Sequence, residues 1–186
     1  MKSEKEKMLS GELYSAFDEQ LSADRKKARM LLHRLNYLDY GNESATSGIL
    51  KELMPDAGEE LWIEPPFYCD YGYNIITGKN VYFNFNCVLL NVMEIRIGSN
   101  VLFGPGVHIY TATHPIDAQE RKKGLESAKP VTIGDDCWIG GGAIINPGLC
   151  IGNRCVIGSG AVVTKSVPDD TIVVGNPAKP VEKRDS

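Results

Sequence analysis

Basic excess, metal-ligand spacing and long apolar runs are all missing from these 186 residues. Lysine and arginine number 20 against 24 acidic residues, a formal net charge of −4. Generic nucleic-acid binding is therefore not expected, and an anionic ligand needs a local basic patch. The 5 cysteines cannot all pair and none falls in a C-x-x-C arrangement, so neither a disulfide framework nor a zinc site is expected. No stretch is long and apolar enough to span a membrane. The opening Met1-Lys-Ser-Glu-Lys-Glu-Lys lacks the apolar centre of a secretion signal, which points to the cytoplasm. What is present, 42% hydrophobic and 24% charged, is the composition of one globular domain able to bury a core.

The dominant positive signal is a beat of six. Ile133, Ile139, Ile145, Ile151, Ile157 and Val163 follow at that spacing, with Gly134, Gly140, Gly152 and Gly158 in the next position. Four residues after each aliphatic stands a small or medium apolar side chain: Cys137, Ala143, Leu149, Cys155, Ala161, Val167. A helix repeats near 3.6 and a strand at 2, so neither explains this period. A coil of three short strands does, with the aliphatics pointing into a narrow prism and the glycines supplying turn conformations. The beat begins weakly at Thr77, Phe83, Leu89 and Ile95, then slips by two and resumes at Ile97, Phe103 and Ile109. Cys87, Cys137 and Cys155 fall in the small apolar column and read as packing residues.

Residues 1–58 are expected to be helical. Met8, Leu9, Leu13 and Phe17 suggest a short helix or turn. Ser22 serves as N-cap of a longer helix carrying Asp24, Ala28, Leu31, Leu32, Leu35 and Leu38, with Gly41 as its stop. A third helix is expected from about Ser47 through Met54. The coil occupies 59–178, interrupted by one long polar loop over 113–130, and a basic end follows at 179–186. A long insertion without a core column is usually functional.

His108 lies five after Phe103 and His114 five after Ile109, which assigns both to outward turn positions. His114 stands where the coil breaks into the long loop, and Pro115 holds its backbone extended. It is the candidate general base, and His108 reads as structural. Asp70, Asn84, Asn86 and Asn91 complete the polar inventory near the core. Trp138, assigned to an outward turn column with little core to fill, suggests a ligand or subunit contact. Thr164, Lys165, Lys179, Lys183 and Arg184 make the late basic cluster that a phosphate-rich cofactor would use.

Taken together, these residues resemble the hexapeptide-repeat acyltransferases, specifically the maltose and galactoside O-acetyltransferases with the nodulation acetyltransferases. The resemblance rests on Lys5-Glu-Lys-Met-Leu-Ser-Gly-Glu-Leu-Tyr14, Ile63-Glu-Pro-Pro-Phe-Tyr-Cys-Asp-Tyr-Gly-Tyr-Asn74, Asn84-Phe-Asn86 and Tyr110-Thr-Ala-Thr-His-Pro115. It continues through Val131-Thr-Ile-Gly-Asp-Asp-Cys-Trp-Ile-Gly-Gly141, Ile145-Asn-Pro-Gly148, Val162-Val-Thr-Lys165 and Gly175-Asn-Pro-Ala178. It implies a mainly β fold, a left-handed parallel β-helix, which departs from the usual right-handed crossover. It also implies a homotrimer with sites between subunits, acetyl-CoA as donor, a sugar hydroxyl as acceptor, His114 as base and no metal. By position, Asp18, Asp70, Asn84 and Asn91 would hold the acceptor, and Asn84 would also meet the cofactor. Trp138, Gly141, Ser159, Thr164 and Lys165 would line the CoA groove, with Lys179 at its phosphates.

The chain departs from the galactoside enzymes at three places. Ala16 stands where they carry an acidic acceptor residue, Lys179 where they carry arginine, and they carry an acidic residue near the position of Asn91. These differences bear on the sugar more than on the reaction. An antibiotic or amino-acid acceptor is one alternative and a non-catalytic scaffold is another. A zinc carbonic anhydrase on the same coil would need three histidine ligands, and His33 lies far off in the helical part.

Overall fold

The computed structural model describes residues 2–37 and 41–181; the predicted helix residue Leu38 and the basic pair Lys183 and Arg184 lie outside them. From Leu61 onward the chain winds as a three-sided parallel β-helix, one short strand on each side and a turn at each edge. The first side stacks Leu61–Ile63, Val81–Phe83, Leu102–Phe103, Trp138–Ile139, Val156–Ile157 and Ile172–Val174. The second stacks Phe67–Cys69, Cys87–Leu90, His108–Tyr110, Ile144–Ile145 and Val162–Val163. The third stacks Ile75–Thr77, Ile95–Ile97, Val131–Ile133 and Cys150–Ile151. By their outward residues these are the tryptophan, histidine and arginine sides.

The register explains the beat. Ile133 pairs with Ile151, Ile139 with Ile157 and Ile145 with Val163, three beats on in each case. All six are buried, because every strand must point its aliphatic into the same narrow interior. The earlier slip is a longer turn at 91–94. Thr77 therefore pairs with Ile97, two residues beyond three beats, and Ile95 and Ile97 are both inward on one strand. Cys87, Cys137 and Cys155 are buried, as their column predicts. Burial pushes the Cys87 and Cys137 thiols up to about 11.

The glycines of the beat have a different cause from the expected one. Gly98, Gly134, Gly140 and Gly152 do not adopt positive φ. A Cβ on Gly134 would lie 2.8 Å from the Gly152 carbonyl carbon, and one on Gly152 would lie 2.5 Å from the Asp169 nitrogen. Close approach of successive coils excludes a side chain there. The left-handed turn positions at the edge between the arginine and tryptophan sides belong to Asn80, Asn100, Asp136, Arg154 and Asp170. Their neighbours form a side-chain ladder: Ser99 N–H donates to Asp135 (2.7 Å), Asp135 N–H to Asn153 (2.8 Å) and Asn153 N–H to Asp169 (2.9 Å).

The helical segment starts earlier than expected. Helix α1 (Glu4–Leu9) opens with a reciprocal capping box between Ser3 and Glu6. Helix α2 (Glu19–Asn36) is capped by Asp18, whose carboxylate accepts from the Leu21 N–H, so Ser22 lies inside the helix and Gly41 beyond its end. Helix α3 (Glu43–Leu53), capped by Asn42, begins four residues before the expected start at Ser47. Leu31, Leu32 and Leu35 of α2 and Ile49, Leu50 and Leu53 of α3 close the first coil's open end. At the other end Lys179–Val181 turns back antiparallel on Ile172–Val174.

The segment over 113–130 is not a structureless loop. Ala112–Thr113 pairs antiparallel with Ser127–Ala128, and Leu125–Glu126 pairs with Tyr14–Ser15. A short helix α4 (Ala118–Arg121), capped by Asp117, forms the tip. The excursion is thus an arm laced to the N-terminal segment.

Candidate active site

The turns between the tryptophan and histidine sides form one edge: Asn84-Phe-Asn86 at its lower end, then the glycine-rich turns 104–106, 140–142 and 158–160. Gly106 N–H donates to Phe85 O (2.7 Å), Gly142 N–H to Pro105 O (2.8 Å) and Gly160 N–H to Gly141 O (2.9 Å), so the turns stack. Gly140 N–H is engaged by Ile157 O at 2.7 Å. The backbone N–H groups of Gly141 and Ser159 have no backbone acceptor among the described residues, which leaves two donors in line along this edge. Asn84 stands at its lower part, half-buried, its Oδ1 accepting from Phe85 N–H at 2.8 Å. Trp138, 56% exposed, flanks the edge on the neighbouring strand rather than in a turn. Lys179, opposite Val174, closes the row at its end.

A second edge, between the histidine and arginine sides, is polar. It carries Asp70, Asn91, Thr111 with the excursion, and Thr164-Lys165. Thr164 and Lys165 are exposed here, apart from the other predicted cofactor residues. Asn91 is fully buried and accepts from the N–H groups of Asp70 (3.0 Å) and Tyr71 (3.1 Å) through Oδ1. Its Nδ2 has no partner among the described residues, a rare state for a buried donor. Burial pushes the Asp70 carboxyl up; Arg25 opposes this, Glu126 adds to it and Arg29 opposes it further.

His114 is exposed and follows directly on Ala112–Thr113. Thr113 Oγ1 meets Ser127 Oγ at 2.8 Å across the arm, so the backbone that carries the imidazole is fixed. His108 is on a strand, not a turn: the residue five after each aliphatic precedes the next one and points outward along the strand. Its Nδ1 lies 2.6 Å from Tyr110 Oη. Asp18 is half-buried at the start of α2.

Sequence reasoning missed Arg25, Tyr14, Tyr71 and Glu126. Arg25 donates to Tyr71 Oη at 2.6 Å, and Tyr14 Oη donates to Glu126 at 2.8 Å. These groups surround Asp70 only because the N-terminal segment and the arm fold together there. No local pattern announces them. A cavity of about 490 Å³ between α3 and the first coil, lined by Leu50, Met54, Leu61 and Trp62, holds none of the candidate residues. The described residues contain no cluster of three metal-ligating side chains and no helix long and apolar enough to cross a membrane.

Residues 7–58 match the maltose acetyltransferase hexapeptide capping motif, and residues 130–165 match the bacterial transferase hexapeptide of six repeats. Nodulation protein L of Rhizobium meliloti is 48% identical over 96% of this chain and 97% of its own. A crystal structure of a maltose O-acetyltransferase from Clostridium difficile 630 superposes with TM-score 0.96 at 46% identity, covering 100% of this chain and 99% of that one. A galactoside acetyltransferase in complex with coenzyme A superposes with TM-score 0.94 at 34% identity, covering 98% and 92%. On these matches, the chain belongs to the hexapeptide-repeat acetyltransferases, in the group of the maltose and galactoside O-acetyltransferases and nodulation protein L.

Proposed function

We propose that this protein transfers the acetyl group of acetyl-CoA to a hydroxyl of a sugar acceptor, with His114 as general base. The observation that carries the reading is an exposed imidazole on a fixed arm, beside a polar edge that holds Asp70 and Asn91. A sugar hydroxyl is a weak nucleophile until its proton is removed. His114 takes that proton as the oxygen attacks the thioester carbonyl carbon. The tetrahedral intermediate carries an oxyanion, for which Gly141 N–H is the chosen donor because Gly140 and Gly142 are engaged within the coil. Collapse breaks the C–S bond, and the imidazolium returns its proton to the departing thiolate. Asn84, Trp138, Ser159 and Lys179 along the glycine edge suit an extended CoA. An acceptor screen with acetyl-CoA, read by thiol release, tests the reaction. No release with any sugar, antibiotic or amino acid would overturn it.

The candidate residues divide between two edges with the histidine side between them, so one chain does not gather them into a single cleft. Packing of copies side by side unites the glycine edge of one with the polar edge of the next. The outward residues that would meet are mostly apolar, Val88, Ile144 and Val162 with the rings of Tyr68, His108 and Tyr110. A homotrimer is therefore expected by light scattering at micromolar concentration, with activity lost on dissociation. A fully active monomer would refute the shared site.

Lys165 and Lys179 are assigned to the cofactor's phosphates. Replacing either by Ala should raise KM for acetyl-CoA about fivefold, the scale of an exposed charge contact, with a smaller change for the sugar. The effect should weaken as salt screens the pair. Equal changes in both substrates would remove the assignment.

A further inference from the structure

One strongly charged surface has no part in the reading above. On α2, Arg25, Lys26, Arg29, His33 and Arg34 follow at helical spacing and line one shallow groove with Ser22 and Met30. This basic stripe stands on a chain of net charge −4. Among the described residues, no carboxylate forms an ion pair with Lys26, Arg29 or Arg34. Lys27, one heptad before Arg34 on the same helix, does pair, with Glu52 of α3 at 3.2 Å. The inner end of the stripe is anchored in the polar cluster: Arg25 donates to Tyr71 Oη, one residue from Asp70. From Arg25 to Arg34 the helix advances about 13 Å, a distance longer than one sugar ring.

We propose that the α2 groove is an acceptor subsite for a saccharide bearing an anionic group, a phosphate, sulfate or carboxylate, at least one ring away from the hydroxyl that is acetylated. The inference rests on the acetyl-transfer reading for the position of the reacting hydroxyl. Guanidinium forks match such oxyanions with paired hydrogen bonds. Arg25 belongs both to the groove and to the Asp70 cluster, so one acceptor can reach both. Because the stripe is exposed, its contribution is moderate and falls with salt. A nucleic acid is a poorer occupant of a stripe on a chain of net charge −4.

The test compares maltose with maltose 6′-phosphate, in the wild type and in the Lys26→Glu/Arg34→Glu double variant. At low salt the wild type should prefer the phosphorylated sugar in kcat/KM by about tenfold, as two exposed charge contacts allow. The preference should fall to about one in the double variant and shrink at high salt. Equal rates on the two sugars in the wild type, or a preference that survives the double variant, would overturn the subsite. Titration calorimetry of the same sugars reads the groove without turnover. Tighter binding of the phosphorylated sugar with no acetylation of either would sink the acetyl-transfer reading and keep the anionic subsite. Tighter binding of a short single-stranded DNA than of the sugar phosphate would overturn the assignment to a saccharide.

Discussion

With His114 as the proposed base, His114→Ala should lower kcat by about 10²- to 10⁴-fold, the usual contribution of a positioned general base. The side chain is exposed and makes no core contact, so assembly and thermal stability stay near wild type. Acetyl-CoA affinity should survive as well, because the base does not hold the cofactor. An imidazole accepts a proton only in its neutral form, so the wild-type kcat/KM for the acceptor falls in acid, and that limb should be missing from the variant's pH profile. His108→Ala is the control. Its ring meets Tyr110 Oη at 2.6 Å, so losing it should cost about 0.5–1.5 kcal/mol of stability and leave most activity. A folded His114→Ala enzyme with wild-type kcat, or an exchange of phenotypes between the two variants, would remove His114 from the chemistry.

The coil was legible because its constraint is local and repeated. Each side admits one inward aliphatic, so Ile133 to Val163 announce three strands per turn without any tertiary information. The arm was not legible. Leu125–Ala128 has no periodic pattern, and its partner Tyr14–Ser15 lies more than a hundred residues upstream, so only the folded chain brings the two together. The histidine phase was misread for a simpler reason. The residue before an inward aliphatic is outward on its strand, as Trp138 is before Ile139 and His108 before Ile109, and the turn begins only after the aliphatic. His114 stood out through its proline and the broken beat, and the folded arm adds what fixes it in place. The likeness to the acetyltransferases drew attention to Gly141 and Ser159, but the reason they suit a ligand is their N–H groups, which no residue type encodes. Arg25 and Glu126 carried no signal beyond being charged.

The beat glycines give the second large effect, on folding rather than chemistry. Gly134→Ala should destabilise the protein by about 3 kcal/mol or more, the upper range for forcing atoms into a filled interior. The added Cβ would sit 2.8 Å from both the Gly152 carbonyl carbon and the Asn153 nitrogen, and 2.5 Å from Asn153 Oδ1. Two of those three neighbours are backbone of the next coil, which cannot swing away as a side chain can. Separating the coils would weaken the parallel pairing of Thr132 and Ile133 with Cys150 and Ile151. For a chain of this length, each kcal/mol corresponds to roughly 2–4 °C in Tm, so a loss of about 6–12 °C or outright misfolding is expected. Gly124→Ala separates this cause from backbone conformation. Gly124 has φ +73° with nothing within 4 Å of its added Cβ, so its cost should be only the left-handed penalty of about 1–2 kcal/mol. If conformational freedom were the reason for the beat glycines, Gly134→Ala, at an ordinary φ, would be the milder of the two. Thermal melts of both variants decide between the explanations, and the inter-coil account fails if Gly134→Ala melts at or above the temperature of Gly124→Ala.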